Sequence, residues 1–432
     1  MTGRRLAIAL ATLLGLVGCG APEGSTVLRF WGLGREGEVA AELIAEFERI
    51  HPEIRVEVQQ LPFTAAHEKF LTAFVGEATP DLAQLGNTWL PELAALAALA
   101  PLDDQVASMS VVRPADYFPG IWDTNRVDGV LYGVPWYVDT RLLFYRRDLL
   151  AEAGVVAPPA SWPAWLEAMR AIKARVGPGR FAILLPLNEY EQLLTLALQQ
   201  DDPLLRDGDR WGNFRSAGFR RALGFYLDIF AEQLAPVVTN VQVPNAWDEL
   251  GRGYYSFMVH GPWSIGELKR RLPAAQQASW GTMPLPGPSG PGAAIAGGCS
   301  LVVFRRSAHP HEAWQLIEYL SQPDVQRRFY LLTGNLPPRR AAWTEPPLVS
   351  DPYVAAFRDQ LERVRRTPPV PEWERIAIEM RVVSERAARR VSPATTPAER
   401  AAIIDEAVAE IDARADQILE KRRWILARRG ER

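Results

Sequence analysis

Cysteine is nearly missing from this sequence: 432 residues hold two, Cys19 and Cys299. Processing accounts for Cys19, as argued below, so Cys299 has no partner and no internal disulfide is expected. Histidine is scarce as well, at five residues, which leaves poor material for a metal centre. The pair His309-Pro310-His311 has a proline between its rings and no acid or thiol cluster nearby, and reads as an exposed helix start. Neither sign of charge dominates. Forty-eight basic residues against 51 acidic ones leave a formal net charge of -3, with Lys and Arg scattered, which argues against a polyanion such as nucleic acid as partner. Beyond the leader, no stretch reaches the ~18 apolar residues of a membrane helix. There is no internal repeat and no low-complexity tract. What remains is ordinary globular composition, 48% hydrophobic and 23% charged, in a chain long enough for two to three domains.

The leader is residues 1–18. Arg4 and Arg5 precede an apolar run from Leu6 to Leu16, about the length of a signal-peptide core and short for a bilayer span. The run ends in Leu16-Val17-Gly18-Cys19, which resembles the bacterial lipobox. That resemblance implies lipidation of Cys19, which becomes the mature N-terminus, and two acyl chains anchor stably where one is marginal. Residues 19–26 then read as a lipidated, flexible tether. The expected location is extracytoplasmic: a soluble body lipid-anchored to a bacterial cell membrane, on the periplasmic side or the cell surface.

The body alternates strand and helix. Val27–Trp31 reads as a short buried strand; Val39, Leu43, Phe47 and Ile50 recur at helical spacing; Ile54, Val56 and Val58 alternate with charged residues. A helix over 65–75, the strand DLAQL after Pro80 and a helix over 91–99 follow. This pattern predicts an α/β lobe with a mostly parallel sheet. The middle repeats the alternation with more aromatics: a helix capped by Ser161, strands over 181–185, 254–260, 280–285 and 301–304, and a Pro/Gly-rich segment over 284–292. The last ~90 residues read as helical, with Thr396-Pro397-Ala398-Glu399 as a capping box and Ile404, Val408 and Ile411 as a stripe that packs on the body.

Gly32, Gly34 and Gly37 form a literal G-x-G-x-x-G between the first strand and helix. A dinucleotide site also wants an acid at the end of the next strand, where this chain has Gln59-Gln60. An exported protein has little access to nicotinamide, so no cofactor is expected. The loop still matters, because open α/β sheets bind ligands beyond the carboxyl ends of their strands, which puts Trp31 and Glu36 near a ligand.

Sugars ask for flat rings to stack on their C–H faces and forked polar groups for their hydroxyls. Fourteen tryptophans are many for this length. Trp31, Trp136 with Tyr137, and Trp263 after Gly261-Pro262 are the ring candidates, each with a core or hinge role as the competing reading; Trp89 ranks behind them. Asp139 and Arg141 break an apolar run, as a surface ion pair or as ligand contacts. Asn87 and Thr88 follow the DLAQL strand, as a helix cap or as ligand contacts. Glu189 is a further acid in a plausible loop. Cys299 reads as a small buried residue.

Several motifs in order resemble the family 1 extracellular solute-binding proteins, the sugar-binding components of ABC importers related to maltose-binding protein. They are LRFWG (28–32), FERIHPEIRVEV (47–58), ATPDLAQLGNTWLPEL (78–93), YGVPWYVDTRLLFYRRDLLAEAGV (132–155), GYYSFMVHGPWSIGEL (253–268), AGGCSLVVFRRS (296–307), EAWQLIEYLSQPDVQRRF (312–329) and TGNLPPR (333–339). The resemblance implies a two-lobed α/β periplasmic-binding-protein fold (type II), with discontinuous lobes joined by hinge strands: 27–137 plus 291–343, and 138–290 plus 344–432. It implies hinge crossings over 136–140 and 284–294, a ligand in the cleft, and delivery to the membrane subunits of an ABC importer by a monomer. It maps ligand contacts to Glu36, Asn87, Trp263, the Gly297-Gly298 turn and Arg339. Cys299 stands where many relatives carry a large aromatic. Two rival functions remain open at this point: the same fold binding a phosphorylated polyol, peptide or iron chelate, and a surface-anchored glycoside hydrolase, which needs two carboxylates across a sugar bond.

Overall fold

The structure is a computed structural model that describes residues 25–108 and 111–429. The expected signal peptide, Cys19 and most of the tether lie outside the described residues. The chain opens β1 (Thr26–Leu33), α1 (Gly34–Ile50), β2 (Ile54–Leu61), α2 (Phe63–Val75), β3 (Leu82–Gly86). It continues β4 (Val134–Asp139), β5 (Leu142–Arg146), α3 (Trp162–Val176), β6 (Ile183–Leu184), α4 (Glu191–Leu198), α5 (Ala217–Ala231), β7 (Phe257–His260), α6 (Trp263–Arg271) and β8 (Trp280–Met283). Then come β9 (Ala294–Ile295), β10 (Gly297–Val303), α7 (Pro310–Leu320), α8 (Pro323–Thr333), β11 (Val364–Arg365), α9 (Trp373–Arg390) and α10 (Pro397–Ile418).

Two sheets divide this α/β chain. The first has the order β2-β1-β3-β10-β4; β1 pairs parallel with β2 and β3, and β10 runs antiparallel between β3 and β4. The second has the order β8-β5-β7-β6. From Phe30 on, β1 is buried on both faces: Leu28 and Phe30 face the cluster with Val39, Leu43 and Phe47 of α1, while Trp31 and Leu33 face the one with Phe70 of α2. Two-sided burial makes such segments read as apolar runs, and this is why FWGL shows no alternation, whereas Arg29 before it is exposed. On α1 the buried face is Val39, Ala40, Leu43, Ile44 and Phe47; Ile50, expected on that face, is exposed because the helix ends there.

The second core gathers β5, β7, α3 and α5 with the C-terminal helices, and Val408 and Ile411 are buried in it as their spacing predicted. Two caps match expectation. Ser161 accepts from the Ala164 N–H, and Thr396 and Glu399 close a reciprocal capping box, a feature worth about 1 kcal/mol. Ser321-Gln322-Pro323-Asp324 reads in sequence as a serine N-cap with an acidic third position, but Ser321 does not cap α8. It ends α7, and Gln322 stands at the N-cap without a side-chain bond.

The polypeptide passes between the sheets at few points. β4 ends at Asp139 and β5 begins at Leu142, so Thr140-Arg141 is the first crossing. The Pro/Gly-rich segment is not itself a crossing: Pro286 bridges Pro291, and the Trp162 N–H donates to Gly287 O at 2.7 Å, folding it onto α3. Gln360 donates to Gly292 O, β9 pairs with β11, and the first sheet is rejoined only at Gly297. Proline and glycine marked a turn there, and turn chemistry carries no information about direction of travel. A return passes Leu336, whose carbonyl accepts the Val138 N–H at 2.8 Å.

Strand direction then decides what meets at the junction. β1, β3 and β4 all end on one edge of the first sheet, where Glu36, Asn87 and Asp139 follow. β6 and β7 are parallel and end on one edge of the second sheet, where Glu189, Glu191, His260 and Trp263 follow. The pairing of Leu142 with His260 puts the Arg141 crossing at that same edge.

Candidate functional site

The crossings lie side by side and are stapled. Thr140 Oγ1 donates to Ile295 O at 2.8 Å, Asn87 Nδ2 donates to Ala296 O at 2.9 Å, and the Asn87 N–H reaches Gly298 O at 3.1 Å. Asn87 is therefore a hinge staple, with its side-chain nitrogen and its backbone N–H both donating to the crossing strand. A Cβ at Gly297 would lie 2.3 Å from Asp139 O, and one at Gly298 would lie 2.2 Å from Tyr137 O, at a φ of +134°. Only glycine lets the two crossing strands approach this closely.

On the second lobe, Arg141 organises the edge. Its guanidinium donates to Asp139 Oδ1 at 2.5 Å and to Glu191 Oε1 at 3.3 Å, and lies 5.1 Å from the ring centre of Trp263. Glu189 stands beside it, accepting from Gln192 at 2.5 Å and Asn240 at 2.6 Å. Burial pushes the Asp139 and Glu191 carboxyls above their ordinary range, and Arg141 pulls both back. Trp263 is folded back on its own loop: a Cβ at Gly261 would sit 2.0 Å from the indole. Gly261-Pro262 is thus the seat of the ring. His260 packs edge-on against Trp263 and its Nδ1 lies 2.6 Å from Ser264 Oγ, which also accepts from Trp247 Nε1. Trp247 only donates, so Ser264 Oγ accepts from it while pairing with the His260 imidazole. Burial, with Arg141 nearby, lowers the His260 pKa to about 3, and the ring is neutral.

On the first lobe, Asn335 Nδ2 donates to Glu36 Oε1 at 2.5 Å. Tyr137 donates to Cys299 Sγ at 3.1 Å and accepts from Gln84, whose own oxygen takes the Leu33 N–H. Burial raises the Tyr137 phenol well above its usual range and the Cys299 thiol to about 12. Both groups feel the charges of Glu36 and Asp139, so the two half-sites lie within electrostatic reach of each other.

Glu36, Asn87, Tyr137, Asp139, Glu189, Trp263 and Gly298 thus gather at the junction. Three expected residues do not. Trp31 is 7% exposed and packs on Phe70. Trp136 is 1% exposed, stacked on Phe329 at 4.4 Å with Phe30 at its edge, and has no face left for a ligand. Arg339 is buried, donating to Ser321 O at 2.6 Å and to Asp116 at 2.7 Å, so both arms of its fork serve the fold. Glu191, His260, Asn335 and Gln84 were missed by the sequence. His260 directly precedes Gly261-Pro262-Trp263 and Asn335 lies within TGNLP, so proximity to motifs was the available signal; Gln84 lies within an apolar strand and gave none. The G-x-G-x-x-G glycines have a packing reason. A Cβ on Gly32 would lie 2.4 Å from the Gly37 Cα, so the two glycines let α1 sit directly on β1. Among the described residues, no group of three or more potential metal-ligating side chains occurs.

The model of the bacterial extracellular solute-binding proteins matches residues 31–327. The chain belongs to that family. The solute-binding chain is 57% identical to the sugar-binding protein MalE from the phytopathogen Xanthomonas citri, whose solved structure it matches with a TM-score of 0.89 over 93% of this chain and 99% of that one. It is 28% identical over 393 residues to an uncharacterized lipoprotein of Streptomyces antibioticus, covering 86% of this chain and 85% of the relative. It is 22% identical to the diacetylchitobiose binding protein DasA of Streptomyces coelicolor, over 77% of each. The fold is the two-lobed periplasmic-binding one that maltose-binding protein shares. The Xanthomonas citri and Streptomyces coelicolor relatives are named as binding proteins, and no described helix is long and apolar enough to cross a membrane.

Proposed function

We propose that this solute-binding protein captures an intact di- or oligosaccharide by hinge closure and hands it to an ABC importer. The observation that carries the reading is the junction itself. The half-buried indole of Trp263 lies beside Arg141, whose guanidinium bonds Asp139 at the end of β4 and Glu191 at the start of α4, while Glu36, bonded to Asn335, follows β1 at the edge of the other sheet. A ring for C–H faces and forked acceptors for hydroxyls are what a sugar requires. The likeness to the sugar-binding MalE supports the substrate class.

The protein is read as a lipid-anchored monomer tethered through Cys19, outside the cytoplasmic membrane; the Streptomyces antibioticus lipoprotein supports the anchor. The moving bodies are built on the two sheets, flexing at 140–141 and 294–297, and a ligand that touches both favours the closed state by its differential affinity. No chemistry on the ligand is proposed, since Asp139 and Glu191 are tied to one guanidinium as acceptors.

A thermal-shift and calorimetric screen of the soluble mature chain against mono-, di- and oligosaccharides tests this. A saccharide should raise the melting point and be recovered uncleaved after denaturation. If no saccharide shifts melting, or cleaved product is released, the reading fails.

A further inference from the structure

Arg141 carries more than its motif suggests. It lies in a crossing segment of two residues, yet one planar fork reaches a carboxylate at the end of β4 and another at the start of α4 while covering one face of Trp263. A fork that engages two carboxylates fixes both in direction, which a lysine point charge does not. The charged groups acting on Arg141 are Asp139, Glu191 and Glu189, with the neutral phenol of Tyr190 beside them; Glu36 and Asp139 act together on Tyr137. His260 at the same edge is neutral. Four carboxylates therefore act on these junction groups, and the arms of the Arg141 guanidinium are already engaged.

We propose that Arg141 is the positioning and specificity-determining residue of the site: forked between Asp139 and Glu191 on Trp263, it holds two carboxyl groups in place, so that the cleft takes uncharged or amine-bearing saccharides and refuses anionic ones. This rests on the proposed carbohydrate function and adds the charge class of the substrate. An anionic ring substituent meets several carboxylates beside a guanidinium that is already engaged, and like-charge juxtaposition is costly. A hydroxyl or ammonium finds acceptors already aimed. Without Arg141 the carboxylates keep their burial and lose the neighbour that favours their charged form, so they take up protons more readily and become poorer acceptors.

The test has two arms on the mature soluble chain. The first is a calorimetric panel of maltose, trehalose, cellobiose and the amine-bearing chitosan disaccharide against glucose 1-phosphate and glucuronate. Neutral or amine-bearing saccharides should bind at least about tenfold more tightly than the anions. An anion binding as tightly as the best neutral sugar overturns the inference while leaving carbohydrate binding intact, whereas silence from every saccharide sinks the function it rests on.

The second arm takes the tightest saccharide found and compares R141Q and R141K with the native chain from about pH 8.5 to about 5.5. The native affinity should fall less with pH than that of R141Q, because Arg141 opposes the rise that burial imposes on both carboxyls. R141Q should bind at least about tenfold more weakly and lose further affinity as pH falls, and R141K should flatten the pH profile while remaining weaker. A parallel, pH-independent loss in R141Q, or native affinity, overturns the inference. If R141Q does not fold, E191Q serves: it should leave a single forked acceptor and weaken neutral sugars, and unchanged affinity refutes the role.

Discussion

Gly261→Ala is a one-carbon change with a worked consequence. The added Cβ would lie 2.0, 2.3 and 2.6 Å from three ring atoms of Trp263, well inside van der Waals contact, so either the indole or the loop must move. Pro262 follows directly and restricts the loop, so the indole is the part that yields. Leaving its seat costs the ring its edge contact with His260 and its place under Arg141. A cation–π contact of partly desolvated groups is worth about 1–2 kcal/mol, and overpacking costs about 1–3 kcal/mol. The expected result is a stability loss of about 1–3 kcal/mol by urea unfolding, with saccharide affinity reduced by about tenfold or more. A double-mutant cycle isolates the cause. In a Trp263→Ala background the clash disappears, so Gly261→Ala should then cost almost nothing. If the two changes add, the alanine acts through the backbone, and the account of Gly261 as the seat of the ring is refuted.

Other expectations follow from the same contacts. Trp136→Ala should destabilise the chain by about 3–5 kcal/mol, since it empties a stacked site in the first core. Trp263→Ala should instead weaken saccharide binding by about 2 kcal/mol or more in calorimetry, with a smaller stability cost. Cys299, with its pKa raised to about 12 by burial, should resist maleimide at pH 8 in the native chain and react on unfolding; fast native labelling would contradict its burial against Tyr137. His260 stays neutral in the folded state down to about pH 3 but takes a proton near its usual value when unfolded. The unfolded chain therefore binds the extra proton below about pH 6.5, and stability falls as pH drops from there toward 3. His260→Gln should flatten that part of the urea-midpoint profile relative to the native chain, and an unchanged slope would disprove the assignment.

Periodicity and caps carried most of the fold: α1, α3 and α10 stand close to where apolar spacing, Ser161 and the Thr396–Glu399 box put them. The strands were harder at their ends. A run such as 254–260 reads as one strand, yet only Phe257–His260 finds a partner in the sheet, because pairing is decided by neighbours distant in sequence. The site was legible where chemistry and position coincide. Asp139 ends β4 and Trp263 opens α6 just beyond the carboxyl end of β7, and both lie at the junction. Trp31 and Trp136 carry the same residue type inside strand segments buried on both faces, where an aromatic signals packing as readily as stacking on a ligand. Arg339 failed for a related reason: a basic residue near a motif gives no hint that Asp116 and Ser321 will consume its donors. Glu191 is one turn of reasoning away from Glu189, but only the fold shows that Arg141 reaches it across 50 residues.

Small-angle X-ray scattering of the mature chain, alone and saturated with the saccharide that titrates in calorimetry, bears most directly on the idea of two bodies shutting around a sugar. The radius of gyration should fall on saturation as the sheets swing together about Thr140-Arg141 and Ala294–Gly297. Superimposable profiles for a chain shown to be fully occupied would contradict it.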